Sequence, residues 1–205
     1  MIKGSHNSFT GYPLFGRQQY LKWFINPFSR CQKHKSLIEM AQAGVQLFDI
    51  QVSCYKGKAL KISHGIAWYH HEALFDILRV LNNRGKPVYL MIGFEDHWFR
   101  KPKDEYFKFR RLRAFKHIVD KDFTNIKVVR TYIEKPWNII YEDEEITSDM
   151  FEKYWSLSWA KSMMKHWWQF YYYLPVPRLW KRIYGKQWDK EAEESGKRFY
   201  VTDFV

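Results

Sequence analysis

Met1-Ile2-Lys3-Gly4-Ser5-His6-Asn7-Ser8 reads as a short strand that ends in a polar cluster. A loop follows, Phe9 to Arg17, marked by Gly11, Pro13 and Gly16. Further on, Leu60-Lys61-Ile62-Ser63-His64-Gly65 repeats the design, a strand whose last residues are Ser-His-Gly. Two histidines at C-terminal strand ends suit general acid–base chemistry, provided the two strands converge.

The pattern around them alternates strand and helix. Residues 20–31 are aromatic and irregular, and Pro27 is expected to block a continuous helix there. Residues 36–43 have helical spacing, with Leu37, Ile38, Met40 and Ala41 on one face, and Gly44 stops them. Residues 45–53 alternate. Leu47, Asp49, Gln51 and Ser53 face one way; Phe48, Ile50 and Val52 face the other. Asp49 and Gln51 therefore look at the same space. Residues 72–83 form an amphipathic helix through Ala73, Leu74, Ile77, Leu78 and Leu81. The nearly all-apolar residues 88–94 suit a strand covered on both faces, and they lead into Glu95.

A helix over 103–119 carries Lys108, Arg110, Arg111, Arg113 and Lys116, read mainly as a solvated face. Strands are expected at 126–132, 138–141 and 198–205, and Thr147 or Ser148 is expected to cap a helix. The order predicts an α/β fold with a parallel sheet. Functional residues at strand ends favour a small or distorted TIM-type (β/α) barrel.

The 205 residues fit one domain, 1–205, with 155–188 as an aromatic, basic insertion suited to a membrane interface. A hydrophobic fraction of 46% excludes disorder. The net charge of +12 favours anionic partners, a phosphodiester or an anionic membrane surface. Nucleic acid is disfavoured, because no recognition motif accompanies the charge. Cys31 and Cys54 suggest neither a disulfide framework nor a metal site. Residues 154–174 come closest to a membrane span, but Lys161, Lys165 and His166 interrupt them. With no signal peptide after Met1, the expected location is the cytoplasm, peripheral to a membrane.

Four blocks carry a family likeness. Gly4-Ser5-His6-Asn7-Ser8, Gly44-Val45-Gln46-Leu47-Phe48-Asp49-Ile50-Gln51-Val52, Ile62-Ser63-His64-Gly65 and Pro87-Val88-Tyr89-Leu90-Met91-Ile92 resemble, in order, the X domain of phosphatidylinositol-specific phospholipase C. The closing Tyr200-Val201-Thr202-Asp203-Phe204-Val205 is similar to the last barrel strand of bacterial members. Residues 100–195 do not align.

The resemblance implies phosphodiester cleavage through a cyclic phosphodiester. It casts His6 as general base, His64 as general acid and Asp203 as the carboxylate that orients the base. It also makes a phospholipid or small phosphodiester the substrate; Asn7, Gln51 and Arg130 are expected to contact it. The family places an Arg or an acidic residue where Gln51 stands, so the source of positive charge stays open. Either Asn7, Asp49 and Glu95 hold Ca2+, or Arg130 supplies the charge, or activity is weakened or lost.

Two other functions compete. A glycerophosphodiester phosphodiesterase would have His-Arg-Gly and Glu-x-Asp where His6-Asn7-Ser8 and Asp49-x-Gln51 stand. A non-catalytic module for anionic lipid would use the region 155–188.

Overall fold

A computed structural model describes residues 1–29, 32, 36–55, 59–64, 67–70, 74–95, 105–134, 146–148 and 177–202. The strands are β1 (Ile2–Ser5), β2 (Leu47–Tyr55), β3 (Ala59–His64), β4 (Ala67–Trp68), β5 (Val88–Glu95), β6 (Ile126–Glu134), β7 (Ile146–Ser148) and β8 (Phe199–Thr202). The helices are α1 (Lys22–Ser29), α2 (Leu37–Gln42), α3 (Leu74–Asn82), α4 (Glu105–Asp122) and α5 (Pro177–Glu194).

The strands run β6-β5-β2-β1-β8-β7, every neighbouring pair parallel. Among the described residues β6 and β7 do not pair, so the barrel is open between them. The fold is thus mixed α/β, a distorted and unclosed (β/α) barrel. The antiparallel β3–β4 hairpin departs from the parallel rule.

That hairpin decides where the histidines meet. On one edge of β2, β1 pairs parallel with Leu47 and Phe48, while β3 pairs antiparallel with residues from Val52 to Tyr55. Two strands running in opposite directions share that edge, and their C-terminal ends face each other. The vacant stretch between them is Asp49, Ile50 and Gln51. The other edge of β2 is filled by β5 along its length, from Leu47 opposite Tyr89 to Val52 opposite Phe94.

The two faces of β2 divide as the alternation predicts. Phe48, Ile50 and Val52 join the large outer core with Leu37, Met40, Leu78, Leu90, Ile92 and Leu112. Burying one such aliphatic side chain stabilises the fold by about 1.5–3 kcal/mol. Leu47 faces inward, with Met91, Tyr132, Phe199 and Val201 in a smaller cluster.

α2 has a capping box: Glu39 N–H donates to Ser36 Oγ at 3.2 Å, and Ser36 N–H to Glu39 Oε2 at 2.9 Å. α3 buries Leu74, Ile77, Leu78 and Leu81 at helical spacing.

β6 contains an irregularity that the pattern did not show. Leu90 pairs with Val128, but Met91 pairs with Arg130, so Val129 is an extra residue. A bulge of this kind reverses which face the following side chains take. Ile126 and Val128 pack in the outer core, whereas Tyr132 turns inward.

Other expectations are corrected. Pro27 lies inside α1 rather than ending it. The helical bond it cannot make is the one to the Trp23 carbonyl, four residues back, and α1 runs on past that missing bond. Thr147 and Ser148 belong to strand β7, paired in parallel with β8, and the helix expected to follow them lies outside the described residues. The strand expected at 138–141 lies outside the described residues. Of 155–188, only 177–188 are described, as part of α5.

Candidate active site

β1 delivers His6 to the gap on β2. The His6 N–H donates to Thr202 O at 2.9 Å, extending the β1–β8 pairing by one residue. The chain then turns sharply. Asn7 has φ 47° and ψ 48°, a left-handed conformation that a short polar side chain tolerates. The turn is held by Thr10 Oγ1 donating to Asn7 O at 2.8 Å, by Ser8 Oγ donating to Ser5 O at 2.6 Å, and by Gln32 Nε2 donating to His6 O. Ser8 Oγ also accepts the Asp49 N–H at 3.0 Å, so a side chain takes up a β2 donor exposed by the gap.

His6 and His64 do converge. Asn7 Nδ2 lies 3.3 Å from both His6 ring nitrogens and 3.5 Å from His64 Nε2. One amide group thus bridges the two rings. His6 is 3% exposed and His64 half-buried, so one ring is deep and the other more accessible.

Behind them stand Asp49 and Gln51. Asp49 Oδ2 lies 3.5 Å from His6 Nε2 and accepts the Asn7 N–H at 3.4 Å. Gln51 Oε1 lies 2.7 Å from His64 Nδ1. An amide oxygen only accepts, so His64 carries its proton on Nδ1 and presents Nε2 to the Asn7 amide. The neutral residue at 51 therefore orients an imidazole.

Sequence reading missed Tyr132. Its hydroxyl donates to Asp49 Oδ1 at 2.8 Å and accepts from Gln51 Nε2 at 3.4 Å. The register explains its reach: Gln51 pairs with Gly93, and Gly93 with Tyr132. The ring crosses β5 where there is no side chain, and a Cβ on Gly93 would lie 2.5 Å from the Tyr132 hydroxyl oxygen. The only sequence signal was a glycine in an otherwise bulky strand, which marks a close approach. The bulge before Tyr132 left no such signal.

The other expected residues fall elsewhere. Arg130 pairs with Met91, which also pairs with Asp49, so it sits one rung below Tyr132. Glu95 is buried two inward positions beyond Met91, roughly 13 Å along β5 at the usual strand rise. Asp203 lies outside the described residues, although its neighbour Thr202 bonds His6.

The donors expected for Ca2+ are only partly brought together among the described residues. Calcium takes six to eight oxygen ligands at ~2.3–2.6 Å. Asp49 already receives hydrogen bonds from Tyr132 and Asn7, and the Tyr132 ring fills the space over Gly93. Glu95 is on another layer of the interior. Among the described residues no group of three or more His, Cys, Asp or Glu could hold a metal ion.

An exposed aromatic patch lies on the segment that packs on the β3–β4 hairpin. Tyr20, Leu21, Trp23 and Phe24 are each at least half exposed. They lie on a 3-10 turn, Gly16–Leu21, and on α1. Trp68 N–H donates to Gln18 Oε1 at 2.7 Å, and Phe15 N–H to Trp68 O at 2.7 Å. These bonds tie the patch to the hairpin that carries His64. Among the described residues no helix is long and apolar enough to cross a membrane.

Neither the known family profiles nor the curated proteins yield a match for this sequence. Solved structures do match in fold. The phosphatidylinositol-specific phospholipase C of Listeria monocytogenes aligns over 99% of this chain and 87% of its own, with TM-score 0.56 and 12% identity. The F249X mutant of the Staphylococcus aureus enzyme aligns over 99% and 85%, with TM-score 0.56 and 14% identity. A pentafluoro-Phe form of the S. aureus enzyme aligns over 64% of this chain and only 46% of that one, with TM-score 0.43. This chain shares the fold of bacterial phosphatidylinositol-specific phospholipases C. At such identities the likeness concerns the fold alone.

Proposed function

We propose that this chain is a phosphodiesterase of the phosphatidylinositol-specific phospholipase C type. It cleaves a phospholipid or related phosphodiester by histidine acid–base catalysis. One observation carries the reading: the Asn7 amide lies within 3.5 Å of ring nitrogens of both His6 and His64. Two imidazoles thus flank a single hydrogen-bond donor, which is where a phosphoryl oxygen would sit.

The proposed steps are these. His6 takes the proton from the headgroup hydroxyl beside the phosphate. The freed oxygen attacks phosphorus, and the bond from phosphorus to the diacylglycerol oxygen breaks. His64, protonated on both nitrogens, gives its Nε2 proton to that departing oxygen. Products are a cyclic phosphodiester and diacylglycerol. Water then opens the ring with the roles reversed.

Each proton transfer contributes roughly 10²–10⁴-fold. With Nε2 turned to Asp49, His6 uses Nδ1 as base, and Asp49 stabilises the imidazolium that forms. Asp203, one residue past the His6 partner Thr202, is a second carboxylate for this task. Asn7 Nδ2 and Arg130 are substrate contacts, Arg130 acting from the layer below. Gln51 acts on the substrate through His64.

Substrate access fits the exposed patch. Trp23 and Phe24, beside Arg17 and Lys22, suit the headgroup region of an anionic bilayer. The doubly substituted Trp23→Ala/Phe24→Ala chain should sediment less with vesicles containing phosphatidylinositol, and hydrolyse a soluble phosphodiester unchanged.

The decisive experiment is a panel of phospholipid headgroups and glycerophosphodiesters, each assayed with and without chelator. Phosphatidylinositol should be cleaved to a cyclic phosphate, with chelator making no difference. Cleavage of glycerophosphodiesters alone would support the rival enzyme. No hydrolysis of any diester, with vesicle binding retained, would support the lipid-binding module.

A further inference from the structure

We infer that Tyr132 is a positioning residue for both histidines at once. Its hydroxyl joins the group behind His6 to the group behind His64. The inference rests on the acid–base reading of those histidines.

The direction of every bond in the chain can be worked out from one end. Asp49 is fully buried, and as a carboxylate it only accepts. The Tyr132 hydroxyl has one proton, and it goes to Asp49 Oδ1 at 2.8 Å. The phenolic oxygen is then an acceptor, so Gln51 turns its NH2 toward it, with Nε2 3.4 Å away. That leaves Gln51 Oε1 facing His64, where it receives the Nδ1 proton at 2.7 Å. The charge of Asp49 thus sets the tautomer of His64 through two intervening side chains. On its other oxygen the same carboxylate meets His6 Nε2 at 3.5 Å.

Two local features hold Tyr132 in this role. The Val129 bulge turns its side chain inward. Gly93 leaves room for its ring to cross β5. An ordinary strand with an ordinary residue at 93 would leave Gln51 able to present either end of its amide. The amide flipped, its NH2 would face His64 Nδ1. That favours the proton on Nε2 of neutral His64 and opposes the imidazolium needed to protonate the leaving group.

Tyr132→Phe tests this, since it keeps the ring and removes only the hydroxyl. The readout is the 15N NMR spectrum of the histidine imidazoles in the full chain without substrate, alongside hydrolysis of phosphatidylinositol vesicles. The native chain should show His64 as the Nδ1–H tautomer. In the variant His64 should become a mixture of tautomers, and the His6 resonances should move as well. Turnover should fall about 10–100-fold with KM little changed, as expected of misplaced rather than missing groups.

Gly93→Ala, which displaces the ring while keeping the hydroxyl, should give the same histidine spectrum. Imidazole spectra of Tyr132→Phe that superimpose on the native ones would overturn the inference, as would a change confined to His6. The NMR result stands without any turnover, so a native chain that hydrolyses nothing would sink the proposed function without deciding the role of Tyr132.

Discussion

The two faces of β2 are built on different rules. Outward, Phe48, Ile50 and Val52 enter an apolar core. Inward, Asp49 and Gln51 enter a chain of hydrogen bonds that ends at two histidines. The outer face asks for volume and hydrophobicity, which many side chains supply. The inner face asks for one donor and one acceptor at each step, which almost no substitution preserves. The same strand therefore tolerates change on one side and not on the other.

The largest effect should come from the inner face. His6→Ala or His64→Ala should lower kcat by about 10²–10⁴-fold, read by vesicle hydrolysis. His64→Ala, at the half-buried ring, should leave the unfolding midpoint nearly unchanged in denaturant titration. A large loss of stability in that variant would mean that His64 is structural, and the contrast between the faces would fail.

The opposite outcome is expected one residue away. Ile50→Ala, at a site 1% exposed, should cost about 2–5 kcal/mol of stability in urea unfolding. The folded fraction should keep its turnover.

Gln51→Leu tests how far the inner chain governs chemistry. It removes the acceptor for His64 Nδ1 and the donor to Tyr132. Turnover should fall about 10–100-fold, less than on removing the imidazole itself. A variant as inactive as His64→Ala would show that Gln51 touches the substrate directly.

The smallest effect concerns the margin of the outer core. Tyr12 stacks on Phe9 with ring centroids 4.1 Å apart, and its hydroxyl accepts the Leu37 N–H at 3.1 Å. Burial raises its pKa above the ordinary 10.0; the Leu37 bond opposes this, and the Glu39 charge adds to it. The folded state thus holds the phenolic proton more tightly than the unfolded state. That stabilisation is complete below pH 10 and is lost as the pH rises through the higher folded value. Tyr12→Phe should remove this part of the alkaline loss of stability, measured by thermal unfolding across that range.

Much of the fold was legible because periodicity reports burial. The alternation in β2 placed Asp49 and Gln51 on one face, and helical spacing located α2 and α3. His6 and His64 stood out by their shared position at strand ends. Their meeting was not legible in the same way. Periodicity carries no information on which edge of a strand a neighbour takes. The approach of β1 and β3 along one edge of β2 is a pairing between distant segments.

The sequence by itself determined which residues could do acid–base chemistry, and that they would lie at the ends of strands in an α/β fold. Side-chain type and local period are enough for that. Only the tertiary structure decided how they are held. Tyr132 faces inward because one extra residue, Val129, changes the register of β6, and it reaches Asp49 and Gln51 because Gly93 is bare. Register and clearance belong to pairs of strands, so they exist only once β2, β5 and β6 have come together. Gln51, where the sequence lacked an expected charge, acquired its role from that assembly: its oxygen holds the His64 proton on Nδ1.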